Sequence, residues 1–99
     1  MSVLNRFRMD GRTAILTGVG PGVGAHVAKA YAELGANVVI SARSQDRLDR
    51  IAREINALGG GRALAVAADA AEKADLENLT AKARSAFGPV HIIFNNAAA

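Results

Sequence analysis

The chain is 99 residues long and has no cysteine, so it holds at most one small domain and neither disulfides nor thiolate metal centres. Its composition, 51% hydrophobic and 21% charged, is globular and not disordered, and a net charge of +3 spread thinly among 4% aromatics argues against a nucleic-acid interface. No apolar run approaches the ~20 residues of a membrane span, and the basic start lacks the apolar segment of a secretory signal; the absence of cysteine suits a reducing cytoplasm.

Residues 1–9 read as a loose arm and Asp10-Gly11 as a turn. Thr13-Ala14-Ile15-Leu16-Thr17 reads as the first strand, apolar on both faces as a central parallel strand is. It runs into a glycine-rich stretch, Thr17-Gly18-Val19-Gly20-Pro21-Gly22-Val23-Gly24. A helix is predicted over residues 23–34, with Val23, Val27, Tyr31 and Leu34 on one stripe and Gly35 as its stop.

The second strand is predicted over residues 37–41. Ser44 is placed as the N-cap of a second helix whose apolar stripe is Leu48, Ile51, Ile55 and Leu58. On its other face Asp46 with Arg50, and Asp49 with Arg53, have i,i+4 spacing and read as a solvated, ion-paired surface. Gly59-Gly60-Gly61 ends that helix, and residues 63–67 form the third strand. Asp69 and Glu72 have the spacing of a helix-starting acid pair. The third helix then runs to Phe87, with Leu76, Leu79, Ala83 and Phe87 inward, and Gly88-Pro89 stops it. Residues 91–95 form the fourth strand.

Strands alternating with helices in the order β-α-β-α-β-α-β imply a parallel sheet with right-handed crossovers. For a doubly wound α/β fold the expected strand order is 3-2-1-4. In such a fold a glycine-rich turn between the first strand and first helix is where a dinucleotide's pyrophosphate binds. The reason is physical. A phosphate reaches main-chain N–H groups only where no Cβ stands in the way, and the helix start adds unpaired donors and partial positive charge. The competing reading of these glycines is a turn that binds nothing.

Arg43 lies about twenty residues beyond the turn, just past the second strand, where an acid would bind the ribose of NAD and an Arg the 2′-phosphate of NADP. Residues 41–44 contain no carboxylate. A guanidinium pairs well with phosphate, and Ser44 with the start of the second helix adds donors. NADP is therefore preferred and NAD is the second choice, with a merely solvated Arg43 as the alternative.

Thr17-Gly18-x-x-x-Gly22-x-Gly24 resembles the TGxxxGxG turn of the short-chain dehydrogenase/reductase family. Asp69 after the third strand, and Asn95-Asn96-Ala97-Ala98 after the fourth, resemble that family's next two landmarks. The resemblance runs from Gly11 to Ala98 and implies an incomplete Rossmann-type fold. It implies that Gly18 makes the turn, that Gly22 lets the pyrophosphate approach, and that Gly24 allows close helix–strand packing, with Gly20 and Val23 in the same cradle. It gives Asp69 a hydrogen bond from the adenine amino group and the Ala70 N–H a contact with the ring; a helix N-cap is an equal reading of Asp69. It takes Asn96, Ala97 and Ala98 past the cofactor ribose, with Ala98 standing where the family has glycine, and it has Thr17 hydrogen-bond near Asn96. The alternative for the Asn pair is that it only terminates the strand.

The family's chemistry uses a Ser, a Tyr-x-x-x-Lys pair and an Asn beyond the fourth strand, so no catalytic residue carries over to this chain. The implied whole is an oxidoreductase that moves hydride between a nicotinamide cofactor and a carbonyl or alcohol, with these 99 residues as its cofactor-binding N-terminal half. A non-catalytic dinucleotide-binding module is the alternative. An S-adenosylmethionine-dependent methyltransferase calls for an acid after the second strand, which is absent. His26 and His91 have no catalytic partner at a telling position, and Tyr31 reads as core. An apolar fourth strand with no further neighbour is expected to favour self-association.

Overall fold

The structure, a computed structural model, describes residues 9–19, 22–69 and 71–95. Four strands and three helices alternate: β1 (Thr13–Thr17), α1 (Val23–Glu33), β2 (Asn37–Ala42), α2 (Gln45–Ala57), β3 (Ala63–Ala67), α3 (Lys73–Phe87) and β4 (Ile92–Asn95). The strands form one sheet in the order β3-β2-β1-β4, and every pairing is parallel. This is the expected Rossmann-type topology.

Side-chain alternation along the central strands divides the core in two. Ala14 and Leu16 of β1, with Val38 and Ile40 of β2, face Ala25, Ala28 and Ala32 of α1 and Leu48, Ile51 and Ile55 of α2. Ile15 and Val39 face the other way, onto Leu79 and Ala83 of α3. Residues on both faces of β1 and β2 are buried, which is why these strands read as unbroken apolar runs.

The α1 stripe is rotated from the one expected. Its buried residues are Gly24, Ala25, Ala28 and Ala32, while Val27 and Tyr31 pack at the margin and Val23 is 68% exposed. Small side chains let the helix axis approach the sheet, so the alanines win the interior. The helix then ends in a Schellman motif: the N–H of Gly35 (φ +97°) donates to the Ala32 carbonyl at 2.9 Å, and that of Ala36 to the Tyr31 carbonyl at 3.1 Å.

Two other apolar residues expected inside lie outside. Leu58, the C-cap residue of α2, is 51% exposed. Leu76 is 38% exposed on the side of α3 that faces β4, where with Ile93 (71% exposed), Ile15, Leu79, Thr80, Thr17 and Asn95 it walls a cavity of about 320 Å³. The ion pairs expected along α2 are not among those of the described residues. Asp49 instead accepts a hydrogen bond from Gln45 Nε2 at 2.8 Å, and Glu54 pairs across the helices with Lys29 of α1 at 2.9 Å.

The two sheet edges differ. The outer edge of β3 is covered by side-chain amides from α2: Asn56 both donates to the Ala63 carbonyl (3.2 Å) and accepts from the Ala63 N–H (2.9 Å), and Gln45 accepts from the Ala67 N–H (3.0 Å). The amides thus stand in for a further strand. At the other edge, β4 pairs with β1 alone among the described residues. No helix of the described residues is long and apolar enough to cross a membrane.

Candidate cofactor site

The chain passes from β1 to β2 on one side and from β3 to β4 on the other, so the ends of β1 and β4 diverge at a topological switch point. In open α/β sheets that is where ligands bind, outside the carboxyl ends of the strands. The expected site residues Thr17, Gly18, Arg43, Ser44 and Asp69 all fall at this end of the sheet.

Gly18 opens the turn with φ +68°, a conformation that L side chains rarely adopt. Val19 then drops into the core, 2% exposed, and its N–H donates to the Ser41 carbonyl at 2.9 Å, tying the turn to the end of β2. Gly22 precedes α1 at the N-cap, and a Cβ built on it would meet nothing within 4 Å, so the space above its backbone is open. Gly24 is buried on the inner face of the first turn, as close helix packing requires. Val23, outside the core, is left beside the turn. The start of α1 has no side-chain cap and no acidic residue, whereas α2 and α3 carry Asp46 and Asp75 in their first turns. The partial positive charge of α1 therefore meets no acidic side chain in its own first turn. Gly20, Ala70, Asn96, Ala97 and Ala98 lie outside the described residues.

Thr17 does tie the first strand to the fourth, through the residue before the expected one. Its Oγ1 donates to Oδ1 of Asn95 at 2.9 Å. The parallel register places Thr17 beside Asn95, which explains the choice of partner.

Arg43 is exposed just past β2, and with Ala67, Ala68, Asp69 and Asp75 it lines a hollow of about 220 Å³. Ser44 occupies the N-cap position of α2 as expected, but its side chain makes no capping hydrogen bond. Asp69 is not the N-cap of α3; Glu72 is, without a side-chain bond. Asp69 instead forms a local turn of its own. Its Oδ1 accepts from the Ala71 N–H at 2.9 Å and its carbonyl from the Glu72 N–H at 2.9 Å.

Residues that the sequence did not single out complete the rim. Gln45 Oε1 receives the Ala67 N–H, and Asp75 Oδ2 receives the Asp69 N–H at 2.8 Å. The spacing of Asp69 and Asp75, six residues apart across a helix start, is the one signal that could have suggested the second contact. His91 lies at the opposite end of the sheet, where its Nδ1 accepts the Thr13 N–H at 3.1 Å, and His26 is exposed on α1. Tyr31 packs at the core margin as expected. No cluster of metal-ligating side chains occurs among the described residues.

A parallel sheet in the order 3-2-1-4, with a glycine turn between its first strand and first helix, defines a Rossmann-type α/β protein. The comparisons make the class narrower. The family model for short chain dehydrogenases matches residues 12–99, and the chain belongs to that family. It is 43% identical over 94 residues to an uncharacterized oxidoreductase of Mycobacterium tuberculosis, a match covering 95% of this chain and 35% of the relative. Among solved structures, a hydroxysteroid dehydrogenase from Escherichia coli superposes with a TM-score of 0.91 at 38% identity, over 96% of this chain and 40% of that one. The L-sorbose reductase of Gluconobacter frateurii, solved with NADPH and L-sorbose, superposes with a TM-score of 0.87 at 35% identity, over 94% of this chain and 35% of that one. The chain thus spans little more than a third of the length of these relatives.

Proposed function

We propose that this chain binds NADP(H), with NAD(H) as the weaker ligand, and forms the cofactor-binding part of an oxidoreductase acting on a carbonyl or alcohol substrate. The observation that carries the choice of cofactor is Arg43, exposed at the end of β2 on the rim of the hollow that Asp69 also lines, with no carboxylate among residues 41–44. A guanidinium there favours a 2′-phosphate and offers nothing specific to a free 2′-hydroxyl. The NADPH-bound sorbose reductase supports the reading as a relative of the same fold.

The residues fit the cofactor in order. Gly18, Gly22 and the start of α1 take the pyrophosphate, with Gly20, Val23 and Gly24 in the same cradle. Arg43 and Ser44, whose hydroxyl caps nothing, take the 2′-phosphate. Asp69 and Ala70 take the adenine. Asn96, Ala97 and Ala98 take the ribose, and Asn95 before them accepts the hydrogen bond from Thr17 of β1. The nicotinamide, when bound, supplies or accepts the hydride. A non-catalytic dinucleotide module would use the same residues, and a Tyr-x-x-x-Lys pair further along the same polypeptide separates the oxidoreductase from it. The pairing of β4 with β1 alone among the described residues, together with the exposed Ile93, supports association between copies of this chain, which light scattering at increasing concentration tests.

The test of cofactor choice is calorimetric titration with NADPH and NADH. The expected result is tighter binding of NADPH, with Arg43→Ala weakening it by about tenfold and leaving NADH unchanged, as loss of a charge-assisted hydrogen bond implies. Tighter binding of NADH by the unaltered protein would overturn the choice.

A further inference from the structure

Residues 67–69 carry an unusual set of restraints. Their three consecutive N–H groups donate to three different elements: Ala67 to Oε1 of Gln45 on α2 (3.0 Å), Ala68 to the Ala42 carbonyl of β2 (2.9 Å), and Asp69 to Oδ2 of Asp75 on α3 (2.8 Å). Only the middle bond extends the sheet. The outer two come from side chains, one on each neighbouring helix. The Gln45 amide is itself oriented, because its Nε2 donates to Asp49 Oδ1 at 2.8 Å and to the Ala65 carbonyl at 3.4 Å, which turns Oε1 toward Ala67. Beyond the clamp the chain is fixed again, as Asp69 Oδ1 and the Asp69 carbonyl receive the N–H groups of Ala71 and Glu72. This wall is one side of the hollow of about 220 Å³ that Arg43 completes.

We propose that Gln45 and Asp75 are positioning residues for the adenine end of the cofactor: they hold residues 67–69 as a rigid wall, so that Asp69 meets the ring without first being ordered by it. The proposal rests on the cofactor reading above. Gln45 does not line the hollow, and Asp75, at its wall, has one carboxylate oxygen engaged by the Asp69 N–H. Each acts by removing, before binding, the conformational freedom of a segment that leaves the sheet for a helix. The two side chains also couple the wall to α2 and α3, so the spacing between Arg43 at the start of α2 and Asp69 is set by the protein and not by the ligand.

The experiment measures two things on the full chain, in the unaltered protein and in Gln45→Ala, Asp75→Ala and Asp75→Asn. The first is amide hydrogen exchange without ligand. The second is affinity for the two halves of the cofactor, 2′,5′-ADP and nicotinamide mononucleotide. Loss of one hydrogen bond is expected to speed exchange at the amide it held, Ala67 or Asp69 respectively, by about fivefold. The two alanine variants are expected to weaken 2′,5′-ADP by about threefold to tenfold and to leave the mononucleotide unchanged. An asparagine side chain keeps an acceptor oxygen, so Asp75→Asn is expected to restore both readouts. Unchanged exchange, an equal loss for both halves, or no rescue by Asp75→Asn overturns the proposal. An unaltered protein that takes up neither half overturns the cofactor reading, while the exchange rates still decide whether the clamp exists.

Discussion

Two glycines of the turn, four residues apart, are expected to fail in opposite ways when each is replaced by alanine. Gly18 holds φ +68°, where an L side chain costs roughly 1–2 kcal/mol from its clash with the following carbonyl. In a domain of this size each kcal/mol lowers Tm by about 4–8 °C, so Gly18→Ala should melt roughly 4–16 °C lower. Gly22 lies at φ −96° with open space where a Cβ would stand, so its methyl group displaces nothing in the protein. In the proposed cofactor site it takes the place of a phosphate oxygen. Hydrogen bonds to a charged group contribute about 1.5–3 kcal/mol each. Losing one should weaken NADPH by roughly tenfold to a hundredfold. Thermal melts by circular dichroism and calorimetric titration with NADPH report the two effects separately. A Gly22→Ala protein that binds NADPH as tightly as the unaltered one refutes the close-approach reasoning, and a Gly18→Ala protein of unchanged Tm refutes the strain.

Thr17→Val keeps the shape of a nearly buried side chain and removes the hydroxyl that joins β1 to β4; a stability loss of about 1 kcal/mol is expected, read from the denaturant midpoint. The Lys29 ammonium, 2.9 Å away, holds the Glu54 carboxyl below its usual 4.5. A carboxyl lowered in the folded state adds stability above the unfolded value and loses it as pH falls through the folded one. Lys29→Met should therefore be less stable than the unaltered protein at pH 7, with the difference starting to shrink near pH 4.5, vanishing below the lowered folded-state value, and shrinking in high salt, as paired chemical denaturation curves would show.

The fold was legible because its main signals are local. β1 and β3 occupy the residues expected of them, β2 runs one residue further and β4 starts one later, and each helix ends within a residue or so of the glycine or cap expected to stop it. The strand order followed from alternation and the handedness of crossovers. What the sequence left hidden depends on three-dimensional neighbours. An apolar residue at helical spacing fits a core stripe equally well whether it is Val23, Leu58 and Leu76, which are exposed, or Leu48, Ile51 and Ile55, which are buried. The difference lies in which side of each helix meets the sheet.

Polar residues were harder still. Ser44 is in the right place for a cap and does not cap, and Asp69 has the spacing of a cap and makes a turn instead. Gln45 has no sequence signature, because its role rests on a strand twenty-two residues further along reaching its amide. The Thr17 tie was expected from the family's pattern, and its partner turned out to be Asn95, a matter of parallel register that pattern alone does not resolve.

The central claim is that the backbone amides between β1 and α1 hold a diphosphate, and amide chemical shifts followed through a titration with NADPH test it most directly. The account predicts that the amides of Gly18, Gly22, Val23 and Gly24 shift the most on the pyrophosphate side, with Arg43 and Asp69 responding at the adenosine end. Saturable binding that leaves the glycine-turn amides in place while residues elsewhere move would contradict it.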